Sequence, residues 1–170
     1  MVGDVSALQL LVPGAEALLD VVRGLPGAAL LEPAHVSLGY PWLPAAQAWA
    51  ELERVRAAAE RVPAFDAVLL GPHAFAPDAR GRVLVHARLA DEGPVRALAT
   101  LLGADLRAVH LSVARLLPGA DAERVTEAVA PLLPRSVRVA ELGVTVQSAG
   151  RWQPALLVPL GAGHRPEEEP

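Results

Sequence analysis

Cysteine is absent from the 170 residues, which excludes disulfides, thiolate nucleophiles and Cys-based zinc sites. Lysine, isoleucine and asparagine are missing too, and all 15 basic residues are arginine. The codons of these three are AT-rich, so the pattern marks GC-rich coding, and the use of Arg over Lys carries no functional weight. Aromatic residues make up only 4% of the chain. No apolar run reaches the roughly 18–20 residues needed to span a bilayer before a proline or a charge interrupts it. The start, Met1-Val2-Gly3-Asp4, lacks a basic segment followed by an apolar stretch, so no signal peptide is expected and the expected location is cytoplasmic. The formal charge is −4 and the basic residues are scattered, an arrangement that argues against long duplex nucleic acid or a membrane surface as partner. A small anion held by a few local groups remains compatible.

What is present is a folded-protein composition: 52% hydrophobic and 20% charged. Residues 1–161 read as one α+β domain, of ordinary build or made of two small lobes and expected to be a monomer, and 162–170 as a disordered polar tail ending Glu167-Glu168-Glu169-Pro170. Strands are expected at Ala7–Val12, Ala34–Tyr40, Phe65–Leu70, Arg82–Leu89, Ala108–Leu116, Val137–Val139, Leu142–Gln147 and Ala155–Val158. Helices are expected over Ala15–Arg23 and Ala45–Val62, between Asp91 and Gly103, and from Asp121 to about Leu133. In the second of these Trp49, Leu52, Val55, Ala59 and Val62 recur at spacings of three and four and should face the core. The two halves of the chain repeat the order strand, helix, motif strand, helix, strands, which suggests internal duplication.

The chain says one short thing twice. His35-Val36-Ser37-Leu38 and His110-Leu111-Ser112-Val113 are both His-x-Ser-hydrophobic tetrads in strand-like runs, 75 positions apart. Alternation along a strand puts His and Ser on one face, about 7 Å apart. On that face the next residues are Gly39 and Ala114, small enough to leave room for a ligand. Two imidazoles converging on a cleft can act as base and acid around one phosphorus, while two hydroxyls donate to its non-bridging oxygens. A single His in an apolar strand is ordinarily structural; two matched tetrads change that balance. Strict alternation turns Arg115 to the far face, which sets a surface or lobe-bracing role evenly against that of neutralising phosphate charge. Tyr40 and Trp42 can stack on a base or fill the core. His73 and His86 have no Ser partner and read as structural, and His164 falls in the tail. No two histidines have the i, i+4 helical spacing of a zinc site.

The segments His35-Val36-Ser37-Leu38-Gly39-Tyr40-Pro41-Trp42-Leu43-Pro44 and His110-Leu111-Ser112-Val113-Ala114-Arg115 resemble the paired motifs of the 2H phosphoesterase superfamily, in its branch of 2′-5′ RNA ligase and cyclic phosphodiesterase proteins. The resemblance implies a bilobal, pseudo-two-fold α+β fold with antiparallel sheets, helices outside and a central cleft. It implies metal-independent, cofactor-free hydrolysis of 2′,3′-cyclic phosphates on small nucleotides or RNA ends, or chemistry on 2′-5′ linkages. His35 and His110 then become the acid/base pair, Ser37 and Ser112 the phosphate holders, and Arg115 a basic residue of the kind found after the second motif. A non-catalytic cyclic-phosphate binder is the reading from another class.

Overall fold

The computed structural model describes residues 4–161; the expected tail lies outside them. Nine strands form one antiparallel sheet, β1 Ser6–Leu11, β2 Ala28–Leu30, β3 His35–Gly39, β4 Phe65–Ala74, β5 Val83–Leu89, β6 His110–Leu116, β7 Arg135–Val139, β8 Glu141–Ser148 and β9 Arg151–Pro159. Its order is β7-β4-β5-β6-β3-β1-β8-β9, with β2 paired to β6 off this path. The helices are α1 Glu16–Asp20, α2 Ala45–Ala50, α3 Leu52–Arg61, α4 Gly93–Leu101 and α5 Ala122–Val129. α2 and α3 pack on β8 and β9, and α5 on β4 and β5. Buried Leu and Val fill the space between, among them Leu10, Leu38, Val55, Leu98, Leu111 and Val125. No helix among the described residues is long and apolar enough to cross a membrane.

The two motif strands meet at the centre through one residue pair, Val36 with Leu111. On either side the ladder repeats itself. Gln9 of β1 faces Ser37 and Leu11 faces His35, as His86 of β5 faces Ser112 and Arg88 faces His110. The spatial halves are therefore β3-β1-β8-β9 and β6-β5-β4-β7, and these interleave in sequence. The consecutive halves expected from the chain are not the structural ones, because β8 and β9 return to the first motif while β4 and β5 join the second.

Both motif strands carry a bulge at the same place. Leu8 pairs with Gly39 while Gln9 pairs with Ser37, leaving Leu38 as an extra residue; Val85 pairs with Ala114 while His86 pairs with Ser112, leaving Val113 extra. In each case the extra residue is the hydrophobic member of the tetrad. One added residue reverses which face every later side chain takes.

Several expectations are corrected. The helix expected over Ala15–Arg23 is a 3₁₀ turn, Pro13–Ala15, followed by the short α1, though Leu18, Leu19 and Val22 are buried as the pattern required. The long helix is two, broken at Glu51 (φ −95°, ψ −1°), which leaves Trp49 51% exposed while Ala48 takes the buried position. β4 runs on through Gly71 and Pro72 to Ala74, made possible by a register shift between Leu70 and Pro72. Asp121 does cap α5, its carboxylate accepting the Arg124 N–H at 3.0 Å. The helix tightens to a 3₁₀ turn at Ala130–Leu132, where Pro131 sits.

Candidate active site

A cavity of about 380 Å³ opens where the two motif strands meet. His35 and Ser37 of β3, Ser112 and Arg115 of β6, Gln9 of β1 and Thr145 of β8 are on its wall. Tyr40, Trp152 and Gln153 form another part, and the loop after β2 contributes Glu32 and Pro33. Glu32 is paired with Arg23, which offsets a carboxylate that would otherwise repel an anion.

The bulges explain two placements. Without them Tyr40 and Arg115, each five residues after its motif histidine, would point away from the cleft. The extra residue reverses the alternation, so both reach the cavity that holds Ser37 and Ser112. Arg115 therefore stands on the side that strict alternation denied it, and among the described residues it makes no ion pair. The same reversal sends Gly39 and Ala114 inward, contrary to the expectation that they leave room beside the histidines. Ala114 is fully buried, and a Cβ at Gly39 would stand 3.3 Å from Trp42 Cδ1. Trp42 itself packs on the core and is not on the cavity wall. The aromatic partner of Tyr40 is Trp152, with ring centroids 5.9 Å apart and planes tilted by 51°. Sequence reasoning missed Trp152 because β9 was expected to start only at Ala155.

The histidines are held differently. His35 Nδ1 is 2.7 Å from the Pro33 carbonyl oxygen. A carbonyl can only accept, so Nδ1 carries the proton and donates it, leaving Nε2 free for the cleft. The corresponding carbonyl for His110 is that of Ala108. It favours the charged ring but falls short of hydrogen-bond geometry, and His110 Nδ1 has no partner. His110 is half-buried and not itself on the cavity wall. Burial pushes its pKa below the ordinary histidine value, and the nearby His35 pushes the same way.

Most of the cavity wall comes from the first-motif half, and the ladder differs between the halves. Opposite Gln9 stands Gly143, and Ala7 is opposite Thr145. At the matching positions of the other half His73 stands opposite His86, and the Phe75 N–H bonds to the Leu84 carbonyl. Gly143 and Thr145 leave room beside Gln9, whereas the exposed His73 and Phe75 rings lie against His86. Among the described residues no three His, Asp or Glu side chains stand close enough together to hold a metal ion.

Comparison with solved structures places this fold among known ones. A structure of Kluyveromyces marxianus Usb1 with uridine monophosphate is 14% identical with a TM-score of 0.60, covering 93% of this chain and 99% of that one. TT0787 of Thermus thermophilus is 18% identical with a TM-score of 0.61, covering 94% and 100%. E. coli LigT complexed with ATP is 18% identical with a TM-score of 0.57, covering 92% and 97%. No curated protein matches in sequence. The sequence model of the 2′-5′ RNA ligase superfamily, however, matches residues 12–151, most of the chain. With two His-x-Ser strands meeting at the centre of an α+β sheet, the chain belongs to the 2′-5′ RNA ligase superfamily, the 2H phosphoesterases.

Proposed function

We propose that the protein is a metal-independent phosphodiesterase that hydrolyses nucleoside 2′,3′-cyclic phosphates, free or at an RNA end. The observation that carries this reading is the cavity, with both serines and Arg115 beside a pair of aromatic rings. A phosphate held by Ser37, Ser112 and Arg115 leaves its ribose and base toward Tyr40 and Trp152. A 2′-5′ linkage carries a nucleoside on each side of phosphorus, whereas the Tyr40 and Trp152 rings offer a stacking surface on one side. This favours the cyclic phosphate over cleavage or ligation of 2′-5′ bonds. Among the similar solved structures named above, Usb1 is seen with uridine monophosphate and LigT with ATP, both nucleotides.

In this reading His110 is the base, since burial favours its neutral form. It takes a proton from water as the water oxygen bonds to phosphorus. The P–O bond to one ribose oxygen breaks, and His35, free at Nε2, gives that oxygen its proton. The serine hydroxyls and the Arg115 guanidinium bind the non-bridging oxygens, where charge grows. Each turnover leaves the two histidines with exchanged protons, restored through solvent.

The test is a panel of nucleoside 2′,3′-cyclic phosphates and 2′-5′ oligoadenylates followed by phosphorus NMR, with and without exhaustive EDTA dialysis. Conversion of the cyclic phosphates to monoesters that survives EDTA, and that disappears in His35→Ala and His110→Ala, is the expected result. Turnover restricted to 2′-5′ linkages, or restored only by zinc or manganese, would overturn the proposal.

A further inference from the structure

Among the described residues four polar side chains are buried: Ser6, Gln9, His86 and Ser112. Ser6 is satisfied by Leu43, donating to its carbonyl at 2.8 Å and accepting its N–H at 3.1 Å. Gln9 and Ser112 are on the cavity wall. His86 is only 5% exposed, away from the cavity, and its Nδ1 has no partner. An unpaired buried nitrogen is destabilising, so a purely structural site would favour an apolar side chain.

Its surroundings indicate what the ring does. His86 is stacked on Phe75, with centroids 4.0 Å apart and planes within 15°. Both rings meet His110 edge-on: Phe75 at 5.1 Å and 77°, His86 at 5.1 Å and 65°. His110 has no backbone hydrogen bond of the kind that fixes His35. Two rings packed at right angles to an imidazole restrict its rotation and shut water from its inner edge.

We propose that His86 is a positioning residue for His110, forming with Phe75 a ring clamp that takes the place of the backbone bond orienting His35. This rests on the reading of His110 as catalytic. The clamp would hold the imidazole in one rotamer and maintain the dry surroundings that favour its neutral form. The groups facing the pair are His35 from β3, His73 from β4 and Arg88 from β5, which act with burial against a positive charge there, while the Leu84 and Ala108 carbonyls act the other way. His86 therefore stays uncharged across the working range and offers a ring face rather than a second cation.

The experiment compares wild type with His86→Ala, His86→Phe and Phe75→Ala, using a nucleoside 2′,3′-cyclic phosphate for kinetics and proton NMR to titrate the His110 ring. Opening the clamp in His86→Ala should lower kcat on the order of 10–100-fold with little change in KM, since small misplacement of a reacting group has effects of that size. The His110 titration should move up toward 6.5 as water reaches the ring, and the acid limb of the pH–rate profile should move with it. His86→Phe, which keeps a ring there, should restore most of both. If His86→Ala fails to fold, Phe75→Ala opens the same clamp from a side chain that is 40% exposed. An unmoved His110 titration in a folded clamp variant would overturn the proposal, as would His86→Phe behaving like His86→Ala. The NMR readout needs no turnover. Loss of the catalytic reading, seen as full activity in His110→Ala, is thereby distinguished from loss of the clamp.

Discussion

Acid should destabilise this fold through His86 before it reaches most carboxylates. Burial is the main cause that pulls the His86 pKa from 6.5 down to about 4, followed by the charge of His110. Above pH 6.5 the ring is neutral in both folded and unfolded chains, so nothing is lost. Between 6.5 and 4 the unfolded chain binds a proton that the folded chain refuses, and stability falls as pH falls. Below about 4 the folded ring is protonated as well, and the loss is complete. At 1.36 kcal/mol per pKa unit, the loss is at most about 3 kcal/mol. For a chain of this size that corresponds to roughly 6–12 °C in Tm. The Asp78 carboxyl, held down to about 2 chiefly by its hydrogen bond from Arg82, titrates below this window and does not mimic the effect.

The assay is urea unfolding at several pH values from 7.5 to 4.5 on wild type and His86→Phe. His110 titrates in the same direction in both proteins, so the difference between the two curves isolates His86. His86→Phe should match or exceed wild type at pH 7.5, where it removes an unpaired nitrogen, and should lead by a growing margin as the pH drops. Parallel curves would refute the reasoning, because they would mean that His86 is charged in the fold or already exposed to water.

Ser37→Ala and Ser112→Ala should each lower kcat by no more than about 10²–10³ at unchanged Tm, measured by steady-state kinetics and thermal melts. Trp152→Ala should raise KM for cyclic nucleotides by about tenfold, at the low end of base-stacking energies of about 1–3 kcal/mol, and leave stability alone, whereas Trp42→Ala should destabilise the fold. Arg115→Ala should lower kcat/KM by roughly 10–100-fold, in line with about 1.5–3 kcal/mol for a hydrogen bond to a charged group, and Arg115→Lys should recover part of it.

The motif histidines and serines were legible because period-two alternation within four residues survives whatever the rest of the strand does. The resemblance of the two tetrads to a known family made the α+β class legible with them. What lay beyond the tetrads was not, and the reason is specific. A bulge at Leu38 or Val113 leaves no mark in composition, yet it reverses the facing of Tyr40 and Arg115 and buries Gly39 and Ala114. The surroundings of His86 were hidden differently. Ser112 comes opposite it through the bulge in β6, and His73 through a further irregularity at Gly71 in β4. The break at Glu51 carries no helix-breaking residue to announce it, and the two short helices on either side pack on β8 and β9.

A duplicated cleft poses a chemical problem that the differences between its halves address. In-line hydrolysis needs one histidine neutral and the other charged at the same moment. Two imidazoles in identical surroundings would titrate as an equivalent pair, and neither would be assigned the base or the acid role. Here the ladder positions correspond while the residues on them do not. Gln9 answers to His86, Gly143 to His73, and Thr145 to Phe75. The first set leaves His35 beside an open cavity with a carbonyl anchoring its Nδ1–H. The second packs rings around His110 and lowers its proton affinity. The asymmetry that leaves a cavity beside His35 is thus the same asymmetry that packs rings against His110. In the proposed reaction, substrate orientation and the direction of proton flow would then share one structural origin, the exchange of Gly143 and Thr145 for His73 and Phe75 between the two halves.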